Sequence, residues 1–191
     1  MARAGTSMQI TAVDPDNNLF CVQQAMPDHL VQKVLSTPWL DLPWQRQEGQ
    51  TLWSRRRIND AAIPWLDEWN QVCSKLLWPA IEAATGTKIA HYQGTAFWID
   101  EPGFTCSMHT DGEMPGSMQL NWIGTRDLGT AFYWHKHTAS LRYQTTFESN
   151  TGYIMINKAD ATGYRQLMWH AMLNPVPANS FRLTSYSVGF A

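Results

Sequence analysis

Cysteine, clustered positive charge and long apolar runs are all scarce in this chain of 191 residues, and each scarcity excludes something. Cys21, Cys73 and Cys106 are odd in number and irregularly spaced, with no C-x-x-C pair, so neither a disulfide framework nor a cysteine zinc site is expected. Three such thiols suit a reducing cytoplasm. The 14 Lys and Arg stand against 16 Asp and Glu, giving a net charge of −2, and they are spread along the chain, so no nucleic-acid partner is called for. No segment approaches the roughly 18 apolar residues a membrane helix needs, and residues Met1 to Asp14 lack an unbroken apolar stretch. A soluble, cytoplasmic protein of one domain is the expectation, large enough to enclose a core and an internal pocket. Tryptophan, by contrast, is abundant: ten in all, most of them expected in the core.

Periodicity divides the chain near residue 88. Before it, Leu30, Val31, Val34 and Leu35 recur at helical spacing between Pro27-Asp28 and Thr37-Pro38. Trp65, Leu66, Trp69, Val72, Leu76 and Leu77 do so between Pro64 and Ala84, with an interruption expected at Pro79 and a stop at Gly86. After it come short runs rich in aromatic and β-branched residues, separated by Gly, Pro, Asn and Asp. Strands are expected near 93–100, 117–123, 130–134, 153–157, 167–173 and 180–188. Helices followed by many short strands predict a mainly β fold, a sandwich or barrel with helices packed on one outer face. Residues 1–88 would form a helical support and 89–191 the β core.

The chemistry centres on His109-Thr110-Asp111. An H-x-D pair is weak evidence alone, since chance supplies one in about a third of sequences of this composition. On an extended segment, however, side chains two apart share a face, so His109 and Asp111 converge on one point. His170, 59 residues on and within a strand-like run, is available as a third ligand. Two imidazoles and one carboxylate leave adjacent positions of an octahedral metal open, as a non-haem iron(II) oxygenase requires, whereas structural zinc closes its site. Twelve residues beyond His170, the run Phe181-Arg182-Leu183-Thr184-Ser185-Tyr186 puts Arg182, Thr184 and Tyr186 on one face of a strand. A guanidinium inside a barrel needs an anion, and a dicarboxylic acid gripped by Arg182 with the Thr184 hydroxyl in support would supply it.

The order H-x-D, distant His, then Arg-x-Thr resembles the 2-oxoglutarate/iron(II) oxygenases, in particular their prolyl-hydroxylase-like branch, over roughly residues 93–191. The lead-in Glu101-Pro102-Gly103-Phe104 is similar to the family's turn before its first two ligands. Asp127-Leu128-Gly129-Thr130-Ala131-Phe132 resembles its Gly-Gly-x-Thr-x-Phe strand, with Leu128 replacing the first Gly. Ala25-Met26-Pro27-Asp28-His29-Leu30 is similar to the helix opening that precedes the barrel. The resemblance implies a double-stranded β-helix of the jelly-roll or cupin-like kind, and iron(II) on His109, Asp111 and His170. It also implies 2-oxoglutarate as co-substrate with its far carboxylate on Arg182 and Thr184, dioxygen, and release of succinate and carbon dioxide as a substrate is hydroxylated. The branch often carries Tyr three residues before and after the turn Gly, where this chain has Asp100 and Cys106, so Gln119, Asn121 or Tyr186 is expected to complete the pocket. Retention of Asp111 favours hydroxylation or desaturation over halogenation.

Other readings stand beside these. Arg182 could pair with a buried acid such as Glu148. His135 and His137, two apart, could hold a metal in a cupin, though a strand edge or pocket rim suits them better. Arg55-Arg56-Arg57 could meet an acidic substrate but more often marks a solvated edge, and Trp134 and Trp169 are expected in the core rather than stacked on substrate. Segments 45–59 and 135–150 are expected to be substrate-covering loops. The alternative to an enzyme is a cupin-like metal- or ligand-binding protein without turnover. A peptide or a small molecule would be the substrate, and oligomeric state is not legible.

Overall fold

The computed structural model describes residues 8–14, 18–46, 54–111, 116–157, 168–172 and 174–190. Among these lie eleven strands: β1 (Gln9–Asp14), β2 (Leu19–Gln23), β3 (Trp44–Arg46), β4 (Arg55–Ile58), β5 (His91–Asp100), β6 (Gly116–Ile123), β7 (Thr130–Tyr133), β8 (Leu141–Gln144), β9 (Thr151–Ile156), β10 (Trp169–Met172) and β11 (Arg182–Phe190). They form two antiparallel sheets. The larger runs β1-β2-β9-β6-β11-β5-β4-β3 and the smaller β10-β7-β8.

Alternation along the central strands gives the larger sheet two occupied faces. Phe97 and Ile99 of β5, Met118, Leu120 and Trp122 of β6, and Leu183 of β11 join a core with residues of the helices α1 (Asp28–Ser36), α2 (Leu66–Val72) and α3 (Trp78–Thr85). Rings dominate it: Trp69 lies 5.0 Å from Phe97 and 5.1 Å from Trp122 between centroids, and its indole N–H donates to Thr95 Oγ1 at 3.0 Å. The alternate residues, Trp98 and Asp100 of β5, Gln119 and Asn121 of β6, and Arg182, Thr184 and Tyr186 of β11, take the other face, as the two-residue spacing predicts. There Leu19 and Tyr153 of the larger sheet meet Phe132 of the smaller.

α1 starts where Pro27, which cannot continue a helix N-terminally, leaves its carbonyl to accept from Leu30 and Val31 N–H, and it ends ahead of Pro38. The interruption expected at Pro79 takes the form of a π turn over Cys73–Leu77, in which Trp78 N–H donates to Cys73 O. Pro79 has no N–H for the Lys75 carbonyl, and its ring would strike that oxygen in an α-helix; the wider turn removes the clash.

The region before residue 89 is not only helical, for it supplies β1 to β4. Their runs of three to six residues carry no decisive period, and β2 finds its partner, β9, about 130 positions away, pairing Phe20 with Ile154. Segments 45–59 and 135–150 likewise contain strands: β3 and β4 pair with each other and β4 joins β5, while β8 pairs with β7. Residues 47–53 of the first lie outside the described residues. Trp134 is 40% exposed, outside the core, with the Arg142 guanidinium 3.7 Å above its ring.

Candidate metal centre and its cationic pocket

The turn at Glu101-Pro102-Gly103 reverses the chain after β5, with Gly103 at φ 81°, a conformation that disfavours a Cβ. The chain then runs beside β10 and its continuation. Gly103 N–H donates to Val176 O, Val176 N–H to Phe104 O, and Met172 N–H to Cys106 O, which carries His109 opposite His170. Those two residues exchange both backbone hydrogen bonds, at 3.0 and 2.9 Å, so their side chains leave the sheet side by side. Phe104, Cys106, Leu128, Phe147, Met172 and Val176 pack beneath, so Leu128, which stands where the family pattern has Gly, serves as a core residue. Gly129 beside it admits no side chain: a Cβ there would lie 1.8 Å from Thr145 O.

The ligand atoms of His109, Asp111 and His170 all lie within 4.8 Å of one another. Nε2 of each imidazole stands 3.4 Å from Asp111 Oδ1, and the ring centroids are 4.3 Å apart. Each ring is oriented from behind. His109 Nδ1–H donates to Ser107 O at 2.8 Å and His170 Nδ1–H to Met168 O at 3.2 Å, which fixes the tautomer and directs both Nε2 atoms at one point. The carboxylate is oriented too: Tyr186 O–H donates to Asp111 Oδ2 at 3.1 Å, turning Oδ1 toward the imidazoles. Burial works against charge on both sides of this cluster, but the contacts outweigh it. Asp111 is held far below the usual carboxylate range by the two histidines, and His109 is raised to about 10 by Asp111 with help from Cys106 and Ser107. Two neutral-capable nitrogens and one carboxylate oxygen on one face are a donor set suited to a divalent metal with open positions. Among the described residues no other group of His, Cys, Asp and Glu comes together in this way. His137 instead caps a short 3-10 turn, its Nδ1 accepting from Ala139 N–H, and His135 is exposed.

Beside the cluster opens a cavity of about 210 Å³ lined by, among others, Arg55, Arg182, Thr184, Tyr186, Gln119 and Tyr153. Its charged end is a row across three neighbouring strands. Asp100 on β5 is paired in register with Arg55 on β4 and with Arg182 on β11. Asp100 is fully buried and receives Arg55 Nε at 2.6 Å and Nη2 at 3.2 Å, while Arg182 Nη1 lies 3.3 Å from its Oδ2. The acid beside Arg182 is therefore Asp100; Glu148 pairs with Arg126 near the surface, at 3.3 Å. The sharing is unequal. Burial pushes the Arg182 pKa down, whereas Arg55, held in a two-pronged bond, is raised in spite of burial. Arg182 Nε is buried with no hydrogen-bond partner, although the side chain is only 2% exposed. Two guanidiniums against one carboxylate leave about one positive charge in a buried site, a strong preference for one more anionic group.

Of the residues singled out in the sequence, His109, Asp111, His170, Arg182, Thr184 and Tyr186 line this one cavity. Asn121 stands behind it, its Oδ1 accepting from Gln119 Nε2 at 3.4 Å, and Gln119 is the member of that pair that faces the space. Arg55 was legible only as part of an arginine triplet. Strand alternation turns Arg56 to the opposite face, where it pairs with Glu101 and lies over Trp44; of the two that share a face, Arg55 lines the cavity and Arg57, farther along the strand, pairs with Asp60 at the surface. Tyr153 and Met172 had no signal of their own, and Asp100 was marked only as a departure from the family's Tyr.

No protein-family model and no curated protein matches the sequence. Solved structures do match. The chain superposes on a Pseudomonas putida prolyl-4-hydroxylase with a TM-score of 0.64 at 13% identity, covering 91% of this chain and 92% of that one. The non-haem α-ketoglutarate-dependent epimerase SnoN of nogalamycin biosynthesis gives 0.64 at 11% identity, over 91% and 78%. HygX from Streptomyces hygroscopicus, crystallised with nickel and 2-oxoglutarate, gives 0.62 at 11% identity, over 92% and 84%. The fold is that of the 2-oxoglutarate/iron(II) oxygenases. Prolyl hydroxylases are among the neighbours that share it, which agrees with the branch the motif order resembles.

Proposed function

We propose that this protein is an iron(II)- and 2-oxoglutarate-dependent dioxygenase of the double-stranded β-helix type, the whole chain acting as one oxygenase domain. The observation that carries the reading is the convergence of His109, Asp111 and His170 beside a buried pocket with excess positive charge. The three side chains would hold iron(II), and the Arg182 guanidinium, whose Nε is unpartnered, with the Thr184 hydroxyl on the same face, would hold the far carboxylate of 2-oxoglutarate. With both groups bound, the site would supply dioxygenase chemistry, in which one atom of dioxygen goes to 2-oxoglutarate, leaving as succinate with loss of carbon dioxide, and the other converts a substrate C–H bond to C–OH. The protein's own part is positional. Ser107, Met168 and Tyr186 fix the three candidate ligands from behind, Tyr153 and Met172 wall the pocket, and Arg182 and Thr184 on the inward face of β11 would orient the co-substrate toward the metal ligands.

Hydroxylation or desaturation is favoured over halogenation because Asp111 would supply a carboxylate ligand. A peptide side chain or a small molecule is the substrate class: two similar structures are prolyl hydroxylases, and HygX has also been crystallised with hygromycin B. Three free thiols at Cys21, Cys73 and Cys106 support the expectation of cytoplasmic residence. No helix among the described residues is long and apolar enough to cross a membrane.

Anaerobic addition of iron(II) and 2-oxoglutarate tests this directly. A weak visible charge-transfer band should form, and His109→Ala should abolish it together with oxygen-dependent succinate release. Metal binding indifferent to 2-oxoglutarate would instead make the protein a non-catalytic binding module.

A further inference from the structure

We propose that Arg55 is a second anchor for the co-substrate's distal carboxylate, so that two guanidiniums from opposite sides of β5 grip one carboxylate, with Asp100 holding both in place. This rests on the dioxygenase reading above and adds a residue to it from a part of the chain outside the recognised motifs.

Four observations support the assignment. Register comes first: Arg55, Asp100 and Arg182 occupy one cross-strand row on β4, β5 and β11, so their side chains rise from the same face at neighbouring positions. Arg55 is also pre-positioned. Its guanidinium carbon lies 4.8 Å from the Phe104 ring centroid and 5.5 Å from that of Trp98, and its Nε and Nη2 bind Asp100. That leaves Nη1 as the nitrogen engaged by no protein group among the described residues. Arg182 is held similarly, over Phe147 at 5.6 Å, with Nη1 on Asp100 and Met172 and with Nε unpartnered. Finally, the charge count closes. Asp100 neutralises one of the two guanidiniums, and a single carboxylate from a ligand neutralises the other, which leaves no net charge in the buried row. A neutral or cationic ligand end would leave that charge uncompensated. Arg55 thereby sets the pocket's preference for dicarboxylates over 2-oxo acids that end in a methyl group.

The test compares 2-oxoglutarate with 2-oxopentanoate, which has the same chain length but no distal carboxylate. Binding to the full chain is measured by calorimetry with manganese(II) in place of iron, so turnover is not the readout. For Arg55→Met the affinity for 2-oxoglutarate should fall about tenfold or more while that for 2-oxopentanoate stays within twofold. Arg55→Lys keeps an ion pair with Asp100 and guards against a folding defect; it should lose several-fold, again only toward 2-oxoglutarate. Thermal unfolding of each variant verifies the fold. Combined with Arg182→Met, the loss should be less than the product of the two single losses, because both side chains meet the same group. Unchanged 2-oxoglutarate affinity in both Arg55 variants overturns the inference and leaves the dioxygenase reading intact. An equal loss for both 2-oxo acids makes Arg55 structural and overturns it as well. A wild-type protein that binds neither acid overturns the dioxygenase reading and this inference together.

Discussion

Replacing Tyr186 by Phe removes one oxygen atom and isolates the question of how the metal site is built. The two oxygens of Asp111 have separate partners: Oδ1 faces both imidazole Nε2 atoms at 3.4 Å, and Oδ2 accepts the Tyr186 hydroxyl at 3.1 Å. Burial raises the Tyr186 pKa, so the phenol remains a donor at every pH of interest. A hydrogen bond to a charged acceptor is worth about 1.5–3 kcal/mol. The Asp111 side chain retains 18% exposure, which lets water replace part of the lost bond and puts the expected cost near the lower figure, about 1.5 kcal/mol. Since about 1.4 kcal/mol corresponds to a factor of ten, Tyr186→Phe should weaken manganese(II) or iron(II) binding roughly tenfold. At saturating metal, 2-oxoglutarate affinity should stay within about twofold, because the hydroxyl serves the aspartate and not the co-substrate. An anaerobic metal titration followed by a 2-oxoglutarate titration separates the two constants. Unaltered metal affinity, or a loss confined to 2-oxoglutarate, would refute the assignment and return Tyr186 to the co-substrate pocket.

Further expectations follow from other parts of the structure. Arg182→Ala should retain metal and lose on the order of 3 kcal/mol of 2-oxoglutarate affinity, read by calorimetry; unchanged affinity would place the carboxylate elsewhere. Gly152→Ala should destabilise the fold by on the order of 3 kcal/mol in chemical denaturation, because its Cβ would lie 1.9 Å from Gln119 O and force β9 from β6. Gly86→Ala, with open space but φ 69°, should cost only about 1 kcal/mol. In metal-stripped protein, His109 binds its proton more tightly folded than unfolded, so its contribution is complete below about pH 6.5 and is lost as pH rises toward about 10. Asp111, with its pKa depressed, contributes above about pH 4 and loses that contribution on acidification. The melting temperature should therefore be highest between roughly pH 4 and 6.5, and His109→Gln should flatten the alkaline decline. An unchanged alkaline slope in that variant would assign the decline to other groups.

How much of this was legible beforehand depended on the distance over which the deciding interaction acts. Alternation of apolar and polar residues in 93–100, 117–123 and 180–188 marked three central strands and assigned Arg182, Thr184 and Tyr186 to one face, and the two-residue spacing of His109 and Asp111 placed them side by side. These are local consequences of a pleated backbone, present in any short window of the chain. Helix α1 was readable for the same reason, from its prolines and its 3.6-residue period. The strands β1 to β4 were not, because runs such as Leu19–Gln23 and Arg55–Ile58 acquire strand character only by pairing with distant partners.

By itself, then, the sequence determined the side-by-side placement of His109 and Asp111, the central strand faces and the main helices, all fixed by neighbours a few residues away, while His170 was named as a candidate third ligand only from motif order. Tertiary structure alone decided that Asp100 would stand between Arg55 and Arg182, that Tyr186 would serve Asp111, and that Gln119 rather than Asn121 would face the cavity. Those outcomes depend on inter-strand register. Shifting a strand by one residue turns every side chain to the opposite face, and register is set by the packing of two sheets and a helical layer together rather than by any single segment.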